Sequence, residues 1–245
     1  MTPKISTDDV VNMALEDIFP GHIKPDENNH ITKGQQYKAP DHSILNGGIL
    51  IERKSRNAED NSQFYYKLSK IAESQGMPFY GFGKLNLAHV IQNLPDPEDA
   101  TKRMTDFMMR QIMKRLGDAR KKFEAHAQHV PGDPLRVVIV SDNTNIKSST
   151  APETYYFARK MGAFDPDSDE TGLIDAILLI KNPGCVLDEE NSYWFKCIYK
   201  KRLSAEKRDL FSRLAGALHH RIAHYGPYFH TARSFKNCSM QMLVV

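Results

Sequence analysis

The most constraining stretch of the chain is Asn46-Gly47-Gly48, set between two apolar triplets, Ser43-Ile44-Leu45 and Ile49-Leu50-Ile51. Asn-Gly is the strongest short hairpin signal, because a tight type I′ turn needs two residues at positive φ. With Asn46-Gly47 as the turn, Leu45 faces Gly48, and counting outward sets Asp41 directly opposite Glu52. Side chains alternate along a strand, so Glu52 and Lys54 share a face and Asp41 joins them. If all three of Asn46-Gly47-Gly48 form the loop, the parity shifts. Asp41 then leaves that face unless a bulge restores it.

Two opposed carboxylates repel unless a cation sits between them. A divalent metal with oxygen ligands removes that cost. Mg²⁺ takes one or two carboxylates and keeps several waters for a substrate phosphate. Lys54 adds a charge suited to holding a water or a phosphate oxygen. These residue types match metal-assisted phosphodiester hydrolysis. An ordinary surface hairpin with a cross-strand salt bridge is the plain alternative.

The sequence Pro40-Asp41, the turn, then Glu52-Arg53-Lys54 resembles the PD-(D/E)xK nuclease superfamily, whose fold is restriction-endonuclease-like. The resemblance covers roughly residues 8–84. It implies that Asp41 and Glu52 bind the catalytic Mg²⁺ (or Mn²⁺), with the Arg53 carbonyl as an extra ligand. It implies that Lys54 assists the attacking water. Many relatives carry a glutamate on the helix before the core strands, which makes Glu16 a further candidate ligand; a solvent-facing helix glutamate is the alternative. RecB-type relatives carry Gln-x-x-x-Tyr on the helix after the hairpin. Gln63 is followed by Tyr66 and Lys67, a partial match, and makes Gln63 an active-site candidate. The expected activity is endonucleolytic cleavage of DNA, with RNA or branched DNA as alternatives. A nucleic-acid-binding or assembly protein without the chemistry is the reading from another class.

The rest of the chain reads as alternating strands and helices, hence one α/β domain over residues 1–245. Residues 8–18 and 59–75 have helical apolar spacing, and 78–82 (PFYGF) reads as the next strand. Helix, hairpin, helix, strand is the core order the resemblance implies, with a right-handed crossover joining the last strand. Residues 20–39 are polar and read as a loop. The elaboration, 98–245, opens with a long amphipathic helix over 98–127. Its apolar stripe is Met104, Met108, Ile112, Leu116, Ala119 and Phe123. On the opposite face Arg103, Arg110, Lys114 and Lys121 fall within about 20° of one line. Solvation alone explains such a face; the functional reading is a rail that contacts DNA phosphates.

Leu135 to Val140 and Gly172 to Ile180 read as buried strands, with Asp175 inside the second as a structural residue. Residues 192–200 alternate like a strand with Lys196 and Lys200 on one face. A helix follows over 204–224. His220 and His224 lie one turn apart without the adjacent glutamate or third ligand of a zinc site. No run of 18 apolar residues exists, which leaves no transmembrane helix, and MTPKISTDDVV lacks the apolar core of a signal peptide. Three cysteines without metal spacing suggest a reduced, cytoplasmic setting. A net charge of +3 allows a nucleic-acid partner without demanding one. Cutting both strands of a duplex from one site per chain implies a two-fold homodimer.

Overall fold

The computed structural model describes residues 7–22, 31–32, 35–36, 38–56, 60–78, 87–142, 161, 171–181, 194–224 and 241–244. The class is α/β. Among the described residues six strands form one mixed sheet in simple sequence order: β3 (His42–Ile44), β4 (Ile49–Arg56), β5 (Leu135–Asp142), β6 (Ala176–Lys181), β7 (Trp194–Tyr199) and β8 (Gln241–Val244). β3 and β4 are antiparallel, β4, β5 and β6 run parallel, β7 reverses, and β8 runs parallel to β7. A separate two-stranded ribbon, β1 (Ile31–Thr32) and β2 (Gln35–Gln36), lies in the stretch expected to be loop.

Alternation along the strands divides the core in two. Ile49, Ile51, Val137, Ile139, Ala176 and Leu178 face α1 (Thr7–Ile18), through Val10, Val11, Ala14 and Leu15, and also the last helix, α5 (Ala205–His224), through Phe211, Leu214 and Leu218. Leu50, Val138, Val140, Ile177 and Ile198 face the other way. They pack on Leu116, Ala119 and Phe123 of α4 (Pro97–His129). The near-continuous apolar runs of β5 and β6 follow from this cover on both faces. Among the described residues no helix is long and apolar enough to cross a membrane.

α4 spans 33 residues, about 50 Å at 1.5 Å per residue. Its start is written locally: Pro97 occupies the first turn, and the Asp96 carboxylate accepts the Asp99 N–H at 2.9 Å. Only the C-terminal half of α4 lies on the sheet. Ala100 and Met104, near its start, belong to a third cluster with Phe64, Leu68 and Ile71 of α2 (Asp60–Ser74) and Leu94, just after α3 (Leu87–Gln92). The Met108 and Ile112 side chains fall outside the description.

Residues 79–82 of the segment read as the next strand lie outside the described residues. The parallel neighbour of β4 is β5, reached through α2, α3 and α4. Asp175 is shifted: it sits just before β6, not within it. There it accepts the Arg136 N–H at 2.9 Å and lies 3.6 Å from Lys207 and 3.8 Å from Arg136. Burial pushes its carboxyl above the usual range, against the pull of the Arg136 N–H and of the neighbouring cations. The start of β6 is clamped between its neighbours, because Asp175 N–H donates to the Arg136 carbonyl and Lys200 N–H, just past the end of β7, donates to the Asp175 carbonyl. Gly172, at φ +56°, closes the approach; a Cβ there would lie 2.8 Å from Arg120 Cδ.

Removing one partner from such a buried network leaves uncompensated donors and cations. Asp175→Ala is expected to lower stability by about 3 kcal/mol. Urea unfolding should show a lower midpoint with an unchanged m-value.

Candidate active site

The turn decides where the carboxylates fall. Gly48 N–H donates to the Leu45 carbonyl at 3.0 Å, and the two residues between, Asn46 and Gly47, have φ of 54° and 87°. Those two φ values are the ones a type I′ turn uses, with glycine where the larger positive φ is needed. The register follows: Ile44 pairs with Ile49, Ser43 with Leu50 and His42 with Ile51. One step further out, Asp41 stands opposite Glu52. Leu45 is also at positive φ, 52°, so the turn spans residues 45–48 between the Ile44–Ile49 pair, and it keeps the parity of the two-residue reading rather than that of the three-residue loop.

Glu52 is fully buried, at 0% exposure, on the face covered by α4. All four oxygens of the pair have donors. Glu52 Oε1 accepts Lys54 Nζ at 2.6 Å, and Glu52 Oε2 accepts the Asp41 N–H at 3.3 Å. Asp41 Oδ2 accepts the Arg53 N–H at 2.7 Å. The fourth contact comes from a residue the sequence did not single out. Lys122, on α4, reaches between the carboxylates, with Nζ 3.0 Å from Asp41 Oδ1 and 3.0 Å from Glu52 Oε1. The cation that the opposed acids require is supplied by the chain itself.

Magnitudes explain why it must be. Two like charges 4 Å apart at an effective dielectric near 20 repel by about 4 kcal/mol. Burial raises the Glu52 carboxyl above its ordinary range, and Asp41 pushes the same way; Lys54 and Lys122 pull it back. For Lys122, burial disfavours the charge, but Glu52 and Asp41 outweigh it and hold the ammonium above its usual range. Two acids and two lysines make the cluster neutral.

Lys122 lies at the flank of the α4 stripe, three residues after Ala119 and one before Phe123. From that flank a long side chain can run along apolar surface and deliver its charge to a buried acid. The partners are 81 residues apart, so no local pattern joins them.

The other expected residues are distributed as follows. Arg53 points to the opposite face, where its guanidinium donates to the Asp8 carbonyl at 3.2 Å. Its N–H meets Asp41, and in an antiparallel strand a residue's N–H and C=O leave from the same edge, so its carbonyl projects beside the carboxylates. Glu16 is exposed on α1, which packs on the far face of the sheet. It lies eight residues beyond Asp8, about 12 Å along the helix axis. Among the described residues no group of three or more His, Cys, Asp or Glu gathers around a metal position, so Glu16 is not brought to the pair. Gln63 is exposed on α2. Arg103 donates to Asp99 at 3.2 Å and to Ser74 at 2.9 Å, whereas Arg110, Lys114 and Lys121 are exposed. The stripe open to a partner is thus the latter three. His220 is exposed, and the His224 side chain lies outside the description.

Asp41 and Glu52 are the side chains that could hold a divalent ion here, in place of the Lys122 ammonium. Asp41 Oδ1 and Glu52 Oε1 already converge on one cation position, and the Arg53 carbonyl is a third oxygen on the same strand edge. Mg²⁺ accepts two carboxylates and fills its shell with water, so a third acidic side chain is not required.

Comparison with known proteins adds little. No protein-family profile matches the chain. No solved structure matches it. A catalase-peroxidase of Rhodopirellula baltica is 29% identical over 107 residues, which is 43% of this chain and 12% of that protein. The likeness spans too little of that protein to define a family.

The geometry makes a stability prediction independent of any activity. Glu52 and Lys122 touch, so their effects should not add. A double-mutant cycle with Glu52→Gln and Lys122→Met is expected to return a coupling of about 1–3 kcal/mol. A value near zero would mean the ion pair is not formed in solution.

Proposed function

We propose that this chain is a divalent-metal-dependent nuclease of the PD-(D/E)xK kind, hydrolysing phosphodiester bonds of DNA. The observation that carries the reading is the convergence of Asp41 Oδ1 and Glu52 Oε1 on one cation position, 3.0 Å from each, with Lys54 on the same face. Asp41, Glu52 and the Arg53 carbonyl would hold Mg²⁺ or Mn²⁺. When bound, the metal supplies Lewis-acid stabilisation of charge on the phosphate oxygens and lowers the pKa of a bound water. The protein's own part is positional. The hairpin fixes the two acids, and the Arg53 N–H orients Asp41. Lys54 holds the water or phosphate oxygen at the exposed rim, where its side chain keeps 18% of its surface. Arg110, Lys114 and Lys121 would grip the DNA backbone.

One observation favours a second reading. Lys122 already neutralises the two acids, as it would in a nucleic-acid-binding protein that keeps the hairpin without the chemistry. Nicking of supercoiled plasmid, with Mg²⁺ and with EDTA, separates the two, and RNA and branched DNA run in parallel distinguish substrates. Asp41→Ala and Glu52→Ala should each abolish Mg²⁺-dependent cleavage in protein that circular dichroism shows to be folded, at reduced stability. Ca²⁺ should support binding only. Full activity in the Asp41→Ala protein would sink the site.

Grip and chemistry should separate. Lys54→Ala is expected to lower the single-turnover rate at saturating DNA by about 10²–10⁴-fold with affinity nearly unchanged. Replacing Lys114 and Lys121 by Gln should weaken binding about equally for all sequences and flatten the salt dependence by roughly one unit of slope per lost phosphate contact. Light scattering on DNA tests the proposed homodimer; the monomer mass of 27.9 kDa, free and bound, counts against it.

A further inference from the structure

Three features of the cluster bear on how it takes up a metal. Lys122 Nζ contacts the same two oxygens, Asp41 Oδ1 and Glu52 Oε1, that converge on the cation position. It comes from α4, not from the hairpin that carries the acids, so it can leave without disturbing their register. Its side chain is not sealed in, keeping 16% of its surface exposed, and its four-carbon stem is flexible.

We infer that Lys122 is an exchangeable counter-cation: it holds the Asp41–Glu52 pair assembled before metal arrives, and the divalent ion displaces it from those two oxygens. The inference rests on the nuclease reading above and adds a competitor within the chain to it. Lys122 and a divalent metal cannot share the site, because they need the same lone pairs and carry the same sign. The released charge stays near the site on its helix, placed to meet the phosphate that arrives with the substrate. Loading is then coupled to substrate: phosphate attracts both the incoming metal and the outgoing ammonium.

The exchange has a measurable cost. A site that is competent for metal only in the fraction of molecules where Lys122 has left binds more weakly by that fraction. If Lys122 is seated about nine-tenths of the time or more, removing it should tighten metal binding by about tenfold or more. Lys54 is not equivalent: it contacts Glu52 alone among the two acids, at Oε1, and lies on the same strand.

The test uses the full chain. Mn²⁺ and Mg²⁺ affinities are measured by calorimetry for the wild type, Lys122→Met and Glu52→Gln. The Lys122 ammonium is followed by ¹⁵N NMR in the wild type, its signal assigned by its loss in Lys122→Arg. The expected result is a Kd for Lys122→Met lower by about tenfold or more, no binding in Glu52→Gln, and a Lys122 ammonium signal that moves to the solvent-exposed range at saturation with diamagnetic Mg²⁺. Unchanged or weaker binding in a folded Lys122→Met, or an ammonium signal untouched at saturation, overturns the exchange and leaves the nuclease reading standing. Absence of metal binding in both the wild type and Lys122→Met overturns both. Should Lys122→Met fail to fold in EDTA, the wild-type ammonium signal decides by itself.

Discussion

Burying a carboxylate with no exposed surface commits the rest of a fold to neutralising it. Glu52 is in that position, and Asp41 across the hairpin doubles the demand. Lys54, two residues along, meets half of it. The other half comes from Lys122, which requires α4 to lie across the sheet with its flank toward the hairpin. The apolar contacts of Leu116, Ala119 and Phe123 set the helix there, and the ion pair fixes its rotation. The charge cluster and the α4 core are therefore one construction, each supplying what the other needs to be buried.

The hairpin was the most legible part of the molecule, for physical reasons. A type I′ turn has few solutions in sequence, and Asn46-Gly47 is one of them. Once the turn is set, pleating dictates which side chains meet, so Asp41, Glu52 and Lys54 could be placed together from the order of residues. Helix periodicity located α1, α2, α4 and α5 within a few residues. β5 and β6 announced themselves as apolar runs buried on both faces.

What was illegible depended on distance along the chain. Strand order is decided by long-range pairing: β5 lies beside β4 although more than seventy residues separate their ends. β8, four residues long, pairs with β7 and has too short a pattern to stand out. The ribbon at Ile31–Thr32 and Gln35–Gln36 is shorter still. Nothing in the local sequence marks Lys122, since only the packing of α4 turns it inward. Glu16 fitted a family habit, but α1 packs against the face that Glu52 turns away from.

α4 belongs to two cores at once. Met104, near its start, is packed with α2, while Phe123, near its end, is packed on the sheet. A continuous helix between those anchors is a stiff rod, and Lys122 stands eighteen residues, about 27 Å, from Met104. The α2–α3 cluster is thus mechanically in series with the ammonium at Glu52. The same rigid element therefore serves a packing surface at one end and a buried charge at the other.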